Sequence, residues 1–383
     1  MILLLSVSAR MLAELARREG HEVMALDRFG DLDLRALCPG VSILRDLGGR
    51  GGMAALVEAA MAIPAAGVVY GAGLENMPGL VERLAGGRTL LGCTPETLRR
   101  VRDPARLGAS LRAAGFAYPR TLPAADAPVA ADRTRRWLRK PVRSGGGRAV
   151  REWRGGALRP GVVVQERIEG LPCSAAAVGD GASAVLLGVS EQLIGRRALG
   201  ARGYAWCGNV VPPRLPAAER TALGAAAGVL CAHLAAGFGL RGVFGVDLVW
   251  DGARAWVLEV NPRPTGSLET IAAVHGSRPF GAHLDGCAGR LPGLAPPAAD
   301  LPAAAGKAVV FATQTVRVPD TRGWPARGIR DVPHPGERIA AGHPICTLLA
   351  TGPSPEAVLA ELDGRATALR AALRDRVEAH AAA

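Results

Sequence analysis

The sequence predicts a mixed α/β and α+β protein: a helix-covered parallel sheet, then an antiparallel region, then a small C-terminal β-rich unit. Three observations carry this reading. In residues 1–95, apolar strand-like runs alternate with amphipathic helical runs, the pattern of a parallel sheet covered on both faces. From Trp137 onward, short apolar runs follow one another with turn residues between them. A Pro/Ala/Gly-rich stretch, residues 285–305, reads as a linker before the last β segment. The expected divisions are 1–95, 96–290 and 291–383.

The elements follow in order. ILLLSV, from Ile2, reads as a strand, Ala9–Glu19 as an amphipathic helix ended by Gly20, and EVMALD as a second strand. Leu56–Ala62 is helical, and GVVYGAG is a strand ending in glycines. Ligands of parallel sheets sit beyond the carboxyl ends of the strands. Those ends carry Ser6–Arg10, Asp27–Asp31 and Gly71–Asn76, so Arg10, Asp27 and Glu75 are expected to face a substrate. Thr94–Arg102 and Pro104–Ala114 begin with turn chemistry and read as helices. Residues 120–135 are a connection. WLRKPV, GVVVQERI, SAAAVGD and AVLLGVS read as strands, and residues 217–237 as a long Ala-rich helix. RGVFGVDLVWDGARAWVLEVNPRP is a hairpin turning at Asp251-Gly252. Lys307–Ala350 is the small β unit, and Pro355–Ala383 closes the chain as a helix.

A chain of 383 residues exceeds one small core. Its net charge is +12 and its pI about 10.3, which would suit a polyanionic partner. Its basic side chains, however, are almost all arginines spread along the chain, with a local run at Arg133–Arg136. Only Lys140 and Lys307 are lysines. Aromatic residues make up 4% of the chain, too few to interleave with a basic surface as single-strand binders require. Solvated arginine is therefore the expected reading, with small anionic substrates as partners and no nucleic acid. Seven cysteines, an odd number without a CxxC, argue against a disulfide framework or zinc knuckle. No apolar run reaches the ~18 residues of a membrane span. The apolar opening lacks a basic flank and reads as a buried strand. A cytoplasmic setting without membrane partners is expected.

Three constellations carry chemistry. Asp247 lies on the first strand of the hairpin, and Glu259 and Asn261 share one face of the second because strand side chains alternate. A carboxylate flanked by apolar Val257, Leu258 and Val260 needs a partner or a metal. This oxygen set suits Mg²⁺, with phosphate oxygens completing the shell. Arg263, two residues beyond Asn261, can hold a phosphoryl oxygen. The second constellation is Lys140 before the glycine-rich Ser144-Gly145-Gly146-Gly147, which suits phosphate binding although no Gly-Lys-Ser/Thr occurs; a glycine-rich loop alone is more commonly a hairpin turn. A lysine retained in an arginine-rich chain implies a need for a compact ammonium. The third is the apolar strand that runs into Gln165, Glu166 and Ile168, which could meet adenine and ribose; an ordinary strand and turn would look the same.

Taken in order, these segments resemble the ATP-grasp superfamily from about Trp137 to Ser267, most specifically at LEVNPRPTGS. The resemblance implies ATP held between two α+β subdomains behind an N-terminal Rossmann-like (pre-ATP-grasp) domain, with ATP and Mg²⁺ as cofactors. It implies Lys140 on the α/β-phosphates under the 144–147 loop, Gln165, Glu166 and Ile168 around adenine and ribose, and Asp247, Glu259 and Asn261 on Mg²⁺. Ser8-Ala9-Arg10, DRFGDLD, YGAGLEN, Glu191–Pro212 and PGERIAAGHPICTLLA further resemble ligases of C1-cofactor (methanofuran/tetrahydromethanopterin-type) biosynthesis related to tyramine–glutamate ligase. Together these imply an ADP-forming carbon–nitrogen ligase with Arg263 and Lys140 in catalysis. It would join a small carboxylate to an amine through an acylphosphate. The alternatives are phosphoryl transfer to a different acceptor, or a nucleotide-binding subunit without turnover. Arg196 and Arg197, in the glycine-punctuated GRRALGARGYAWCGN, are expected either to cover the substrate or to form a basic turn.

Overall fold

We describe a computed structural model of the chain, covering residues 1–127, 132, 134–293 and 300–381, with side chains through residue 374. Arg133, parts of the expected connection and linker, and the last two residues of the expected closing helix lie outside this set.

Strands Ile2–Leu5 (β1), Val23–Asp27 (β2), Gly40–Ser42 (β3), Gly67–Tyr70 (β4) and Thr89–Leu90 (β5) form the parallel sheet, in the order β3-β2-β1-β4-β5. Leu3, Leu4 and Leu5 are fully buried, as a strand covered on both faces requires. Helices Arg10–Arg18 (α1), Leu32–Leu37 (α2), Gly52–Met61 (α3) and Pro78–Ala85 (α4) complete the alternation. The short β3, α2 and α4 were not legible, because three to eight residues give no secure period. β1 lies between β2 and β4, so the loops after β1 and β4 diverge and open a crevice there.

Helices Pro95–Val101 (α5) and Pro104–Ala113 (α6) start where expected. Thr94 Oγ1 accepts from Thr97 N at 3.2 Å, and Asp103 Oδ1 accepts from Ala105 N at 2.9 Å. Each helix carries proline in its first turn, where the missing N–H costs nothing.

Strands Thr121–Pro123 (β6), Trp137–Pro141 (β7), Arg151–Trp153 (β8) and Val162–Glu166 (β9) form a small antiparallel sheet, ordered β6-β9-β7-β8. Trp137 and Val164 supply its buried centre, together with Ala127. Next come Leu171–Asp180 (β10), Ala184–Ile194 (β11), Trp206–Val211 (β12), Arg241–Trp250 (β13), Ala255–Asn261 (β14), Ala304–Phe311 (β15), Val316–Arg317 (β16), Ile329–Arg330 (β17), Arg338–Ile339 (β18) and Pro344–Gly352 (β19). Eight of these form one antiparallel sheet, β14-β13-β10-β11-β12-β15-β19-β17, while β16 pairs with β18.

Helix Ala217–Phe238 (α7) is long and apolar enough to span a membrane by length and composition. Here it buries Leu223, Ala227, Leu230, Cys231, Leu234, Ala235 and Phe238, a stripe at helical spacing that joins the main core with residues of β10, β13 and β14. Helices Leu268–His275 (α8), Pro279–Cys287 (α9) and Pro355–Ala381 (α10) complete the chain.

Of the C-terminal strands, β15, β19 and β17 extend the eight-stranded sheet, and β16 and β18 form a two-stranded sheet. WCGNVV is a strand rather than part of a covering loop, and its outer edge takes β15, with Gly208 opposite Ala308 and Asn209 opposite Lys307. Gly208, at φ 139°, makes this approach possible, since a Cβ there would lie 1.9 Å from the Lys307 carbonyl oxygen.

Candidate active site

A cleft of about 1050 Å³ lies between the four-stranded and eight-stranded sheets and reaches the ends of β1 and β4. β7, the 144–148 loop and β9 contribute Lys140, Gly146 and Gln165; β13 and β14 contribute Asp247, Glu259 and Asn261.

The hairpin register sets Asp247 opposite Glu259 and Gly245 opposite Asn261. Asn261 Nδ2 donates to Asp247 Oδ2 at 3.0 Å, and Gln192 Nε2 donates to Asp247 Oδ1 at 2.8 Å. Burial, then the like charge of Glu259, pushes the Asp247 carboxyl up to about 7. Burial also opposes the charge of Glu259, but Arg102 and Lys140 outweigh it and hold that carboxyl below its ordinary value. Glu259 is the ionised member of the pair. A dication would relieve the repulsion and ionise Asp247, so the donor set fits Mg²⁺. Asp247, Glu259 and the Asn261 amide oxygen would hold it. In the present arrangement that oxygen accepts from Arg263 Nη2 at 3.2 Å.

Lys140 Nζ donates to Gln165 Oε1 at 2.9 Å, and Gln165 Nε2 donates to Thr121 Oγ1 at 3.1 Å. Burial lowers the Lys140 pKa, against the pull of Glu259 and Asp247 from across the cleft. Gln165 lines the cleft and positions the lysine. Glu166 is paired with Arg135, so its carboxylate is engaged from outside the cleft, although the residue and Ile168 both line the wall.

The glycine loop docks onto the large sheet. Trp206 N donates to Gly146 O at 2.9 Å, and Ser144 Oγ donates to Pro141 O at 2.9 Å. Gly147 sits at φ 66°, and a Cβ there would meet the Tyr204 carbonyl oxygen at 2.0 Å. Only glycine permits this seat. Gly145 lines the cleft with nothing within 4 Å of its Cβ position.

Residues 102–267, a little under half of the chain, match the family model of the ATP-grasp domain. The chain has the ATP-grasp fold. The biotin carboxylase domain of Hydrogenobacter thermophilus 2-oxoglutarate carboxylase, solved with MgADP and bicarbonate, is similar at TM-score 0.71 and 16% identity, over 94% of this chain and 88% of that one. N5-carboxyaminoimidazole ribonucleotide synthetase from Thermus thermophilus is similar at TM-score 0.65 and 18% identity, over 96% of this chain and 98% of that one. Campylobacter jejuni biotin carboxylase gives TM-score 0.65 and 15% identity, over 94% and 89%. These likenesses concern the fold. No curated protein matches the chain by sequence.

The ATP-grasp cleft corrects the expected substrate set. Arg10 lines the wall but is fully buried, its guanidinium shared among Glu14, Glu269 and Asp331 at 2.7–3.2 Å. It joins three segments and has no free face for a ligand. Asp27 is spent on its own loop, accepting from Ala9, Phe29 and Gly30 N–H groups. Burial pushes its carboxyl up to about 6. Glu75 holds Arg263, accepting from its Nε at 2.8 Å, and so positions that guanidinium beside Asn261. Arg196 pairs with Asp363 on α10, and Arg197 gives its carbonyl to Arg370 at 3.2 Å. Neither lines the cleft, because the segment packs against α10 rather than over the site.

Arg102 and Gln192 had no sequence signal, while Lys307 was marked as one of the two lysines but given no place at the site. Arg102 reaches Asn76 Oδ1 at 2.9 Å, the Val142 and Ser144 carbonyls at 3.2 and 3.3 Å, and Glu259 at 3.6 Å. It thereby ties the glycine loop to Glu259. Gln192 orients Asp247. Lys307 pairs with Glu269, whose carboxyl burial would raise but Arg10 and Lys307 bring down to about 2.

Proposed function

We propose that the chain is an ATP- and Mg²⁺-dependent, ADP-forming carbon–nitrogen ligase that joins a small carboxylate to an amine. The observation that carries this reading is the Asp247–Glu259 pair, with Asn261 beside it, facing Lys140 across one cleft. Cation and carboxylates come from different sheets, so a polyphosphate between them would meet opposite charge on one side and a metal site on the other. Lys140, held by Gln165, neutralises phosphate charge; the 144–147 loop covers it; Arg263, held by Glu75, meets the transferred group. Mg²⁺, held by Asp247, Glu259 and Asn261, would supply charge stabilisation at the leaving phosphate.

In this reaction a carboxylate oxygen attacks the γ-phosphorus of ATP, and the bond to ADP breaks. The amine nitrogen, as the free base, then attacks the acyl carbon; phosphate leaves with the bonding pair, and the proton lost from nitrogen passes to the departing phosphate or to solvent. Positioning and charge neutralisation are the protein's main contributions. Nucleotide and bicarbonate in the similar biotin carboxylase domain support the reading. The likeness of the N-terminal and C-terminal segments to C1-cofactor ligases supports a role in making a C1 carrier. Seven free thiols support a reducing, cytoplasmic setting.

The test is product analysis with ATP, Mg²⁺, a panel of amino acids, and pterin and furan precursors. ADP and phosphate are expected, and hydroxylamine should trap a hydroxamate when the carboxylate is supplied without its amine. Release of AMP and pyrophosphate, or full activity in Glu259→Gln, would overturn the proposal.

A further inference from the structure

One carboxylate in the cleft wall differs from the acids around it. Asp31 is 7% exposed and lines the cleft where the N-terminal sheet meets the C-terminal strands. It directly precedes α2, yet its side chain makes no capping bond. Among the described residues, no hydrogen bond or ion pair engages that side chain. Every acid around it is satisfied. Asp27 takes three backbone N–H groups. Asp33 takes the N–H groups of Asp331 and Val332, both at 2.9 Å. Asp331 pairs with Arg10 at 3.1 Å, and Glu337 pairs with Arg45.

An isolated buried carboxylate is costly, and like charges make it more so. Burial first, then Asp331, Asp27, Asp33 and Glu337, holds the Asp31 carboxyl well above the ordinary carboxylate range. Replacing it by a neutral residue would relieve that cost. Asp31 is thus a liability to the unliganded fold and an asset only to a cleft that receives a positive group. Asp27, Asp33, Asp331 and Glu337 are already engaged by N–H groups or arginines, so none is free to join Asp31 as a second metal ligand. The positive group is then one that a single carboxylate and its field can hold: a primary ammonium.

We propose that Asp31 is the recognition residue for the ammonium group of the amine substrate. Asp31 accepts N–H bonds from the ammonium, and the surrounding acids add field without contact. Asp331 and Glu337 keep their arginine partners, so the incoming cation adds to the existing pairs rather than displacing them. The assignment of this cation as the reaction's amine rests on the ligase reading; the binding site itself does not.

The experiment uses the full chain. Ethylammonium and the putrescine diammonium ion are titrated by ligand-observed NMR near neutral pH, with ethanol and butanediol as uncharged counterparts. The ammonium ions should bind and the alcohols should not. In Asp31→Asn, ammonium affinity should fall roughly tenfold to a hundredfold, the range expected for losing a charge-assisted bond. The same variant should melt at a higher temperature than the wild-type protein without ligand, which a merely structural aspartate would not produce. Equal ammonium binding by both proteins, equal binding of ammonium ions and alcohols, or a lower melting temperature in the variant would overturn the proposal. ATP turnover separates it from the ligase reading. If amines stimulate ADP release with the same KM in Asp31→Asn, the Asp31 site is wrong and the ligase stands. If ammonium binding is lost in the variant but no amine ever stimulates ADP release, the site stands and the ligase reading fails.

Discussion

Asp247 and Glu259 face each other across β13 and β14, and Asn261 Nδ2 closes on Asp247 at 3.0 Å. Two carboxylates in register on adjacent strands repel, and burial strengthens the repulsion. Asp247→Asn removes one charge at nearly constant volume. The variant is expected to be as stable as the parent, or more so, when divalent metal is withheld. Its Mg²⁺-dependent nucleotide binding should fall by roughly tenfold or more, as for loss of one charged ligand. Paired melting curves and nucleotide titrations, each with and without Mg²⁺, provide the check. Unchanged Mg²⁺ dependence would remove Asp247 from the metal site.

Lys140 depends on Gln165 for its direction. Its side chain is half-buried and donates to Gln165 Oε1, while Gln165 is itself fixed by Thr121. Lys140→Ala should weaken ATP binding strongly, and Lys140→Arg should rescue it poorly, because a planar guanidinium cannot sit where a compact ammonium does. Gln165→Leu should produce a smaller loss of the same kind, since it leaves the lysine present but unaimed. Calorimetric ATP affinities for the three variants would order them. Equal affinity in Gln165→Leu and the parent would leave Gln165 without a positioning role.

The juxtaposition of Asp247, Glu259 and Asn261 on one hairpin, and the place of Lys140 on its strand, were legible because each is local. Period-two alternation places Glu259 and Asn261 on one face, and the turn at Asp251-Gly252 brings Asp247 beside them. Arg102 was not legible, because nothing local separates it from the other arginines of the chain. Its role arises only when the end of α5 meets the glycine loop and β14. Asp27 and Arg10 misled for a related reason. Strand-end position marks residues near a crevice, but not whether neighbouring N–H groups or acids have already consumed them. That β15, β19 and β17 extend the large sheet was not legible, because strand order between distant segments is set by edge matching, here through Gly208, and leaves no periodic trace.

His283 gives a pH prediction independent of the cleft. It is buried, accepts from Val243 N at Nδ1 over 2.9 Å, and its Nε2 lies 3.0 Å from the Leu91 carbonyl oxygen. The neutral ring, protonated at Nε2, satisfies both. Burial lowers its pKa to about 4, against the opposing Leu91 carbonyl. A base whose folded pKa is depressed contributes stability above its unfolded value of 6.5, and that stability is lost as pH falls towards 4. The difference corresponds to about 3 kcal/mol. His283→Gln should be less stable near neutrality but lose less on acidification through this window. Denaturant midpoints measured across it would show parallel curves for the two proteins if the histidine does not contribute.

Arg102 offers the sharpest test of how the cleft is assembled. Its Nη1 lies 3.3 Å from the Val260 carbonyl oxygen and 3.6 Å from Glu259, while Nη2 reaches Asn76 and two loop carbonyls. Its buried Nε has no partner among the described residues, so the group is held here for its reach despite an unsatisfied donor. A lysine carries the same charge but cannot span loop, helix end and hairpin from one plane. Arg102→Lys should therefore keep the field at Glu259 while releasing the 142–144 carbonyls. Nucleotide affinity is expected to drop several-fold, with hydrogen exchange faster in the glycine loop and unchanged in the parallel sheet. Arg102→Met should lose both loop order and the field, and should bind nucleotide more weakly than Arg102→Lys. If the two variants bind nucleotide equally, charge at Glu259 contributes nothing and Arg102 acts as a strut. If Arg102→Lys leaves loop exchange unchanged, the loop is held by Trp206 and Ser144 alone.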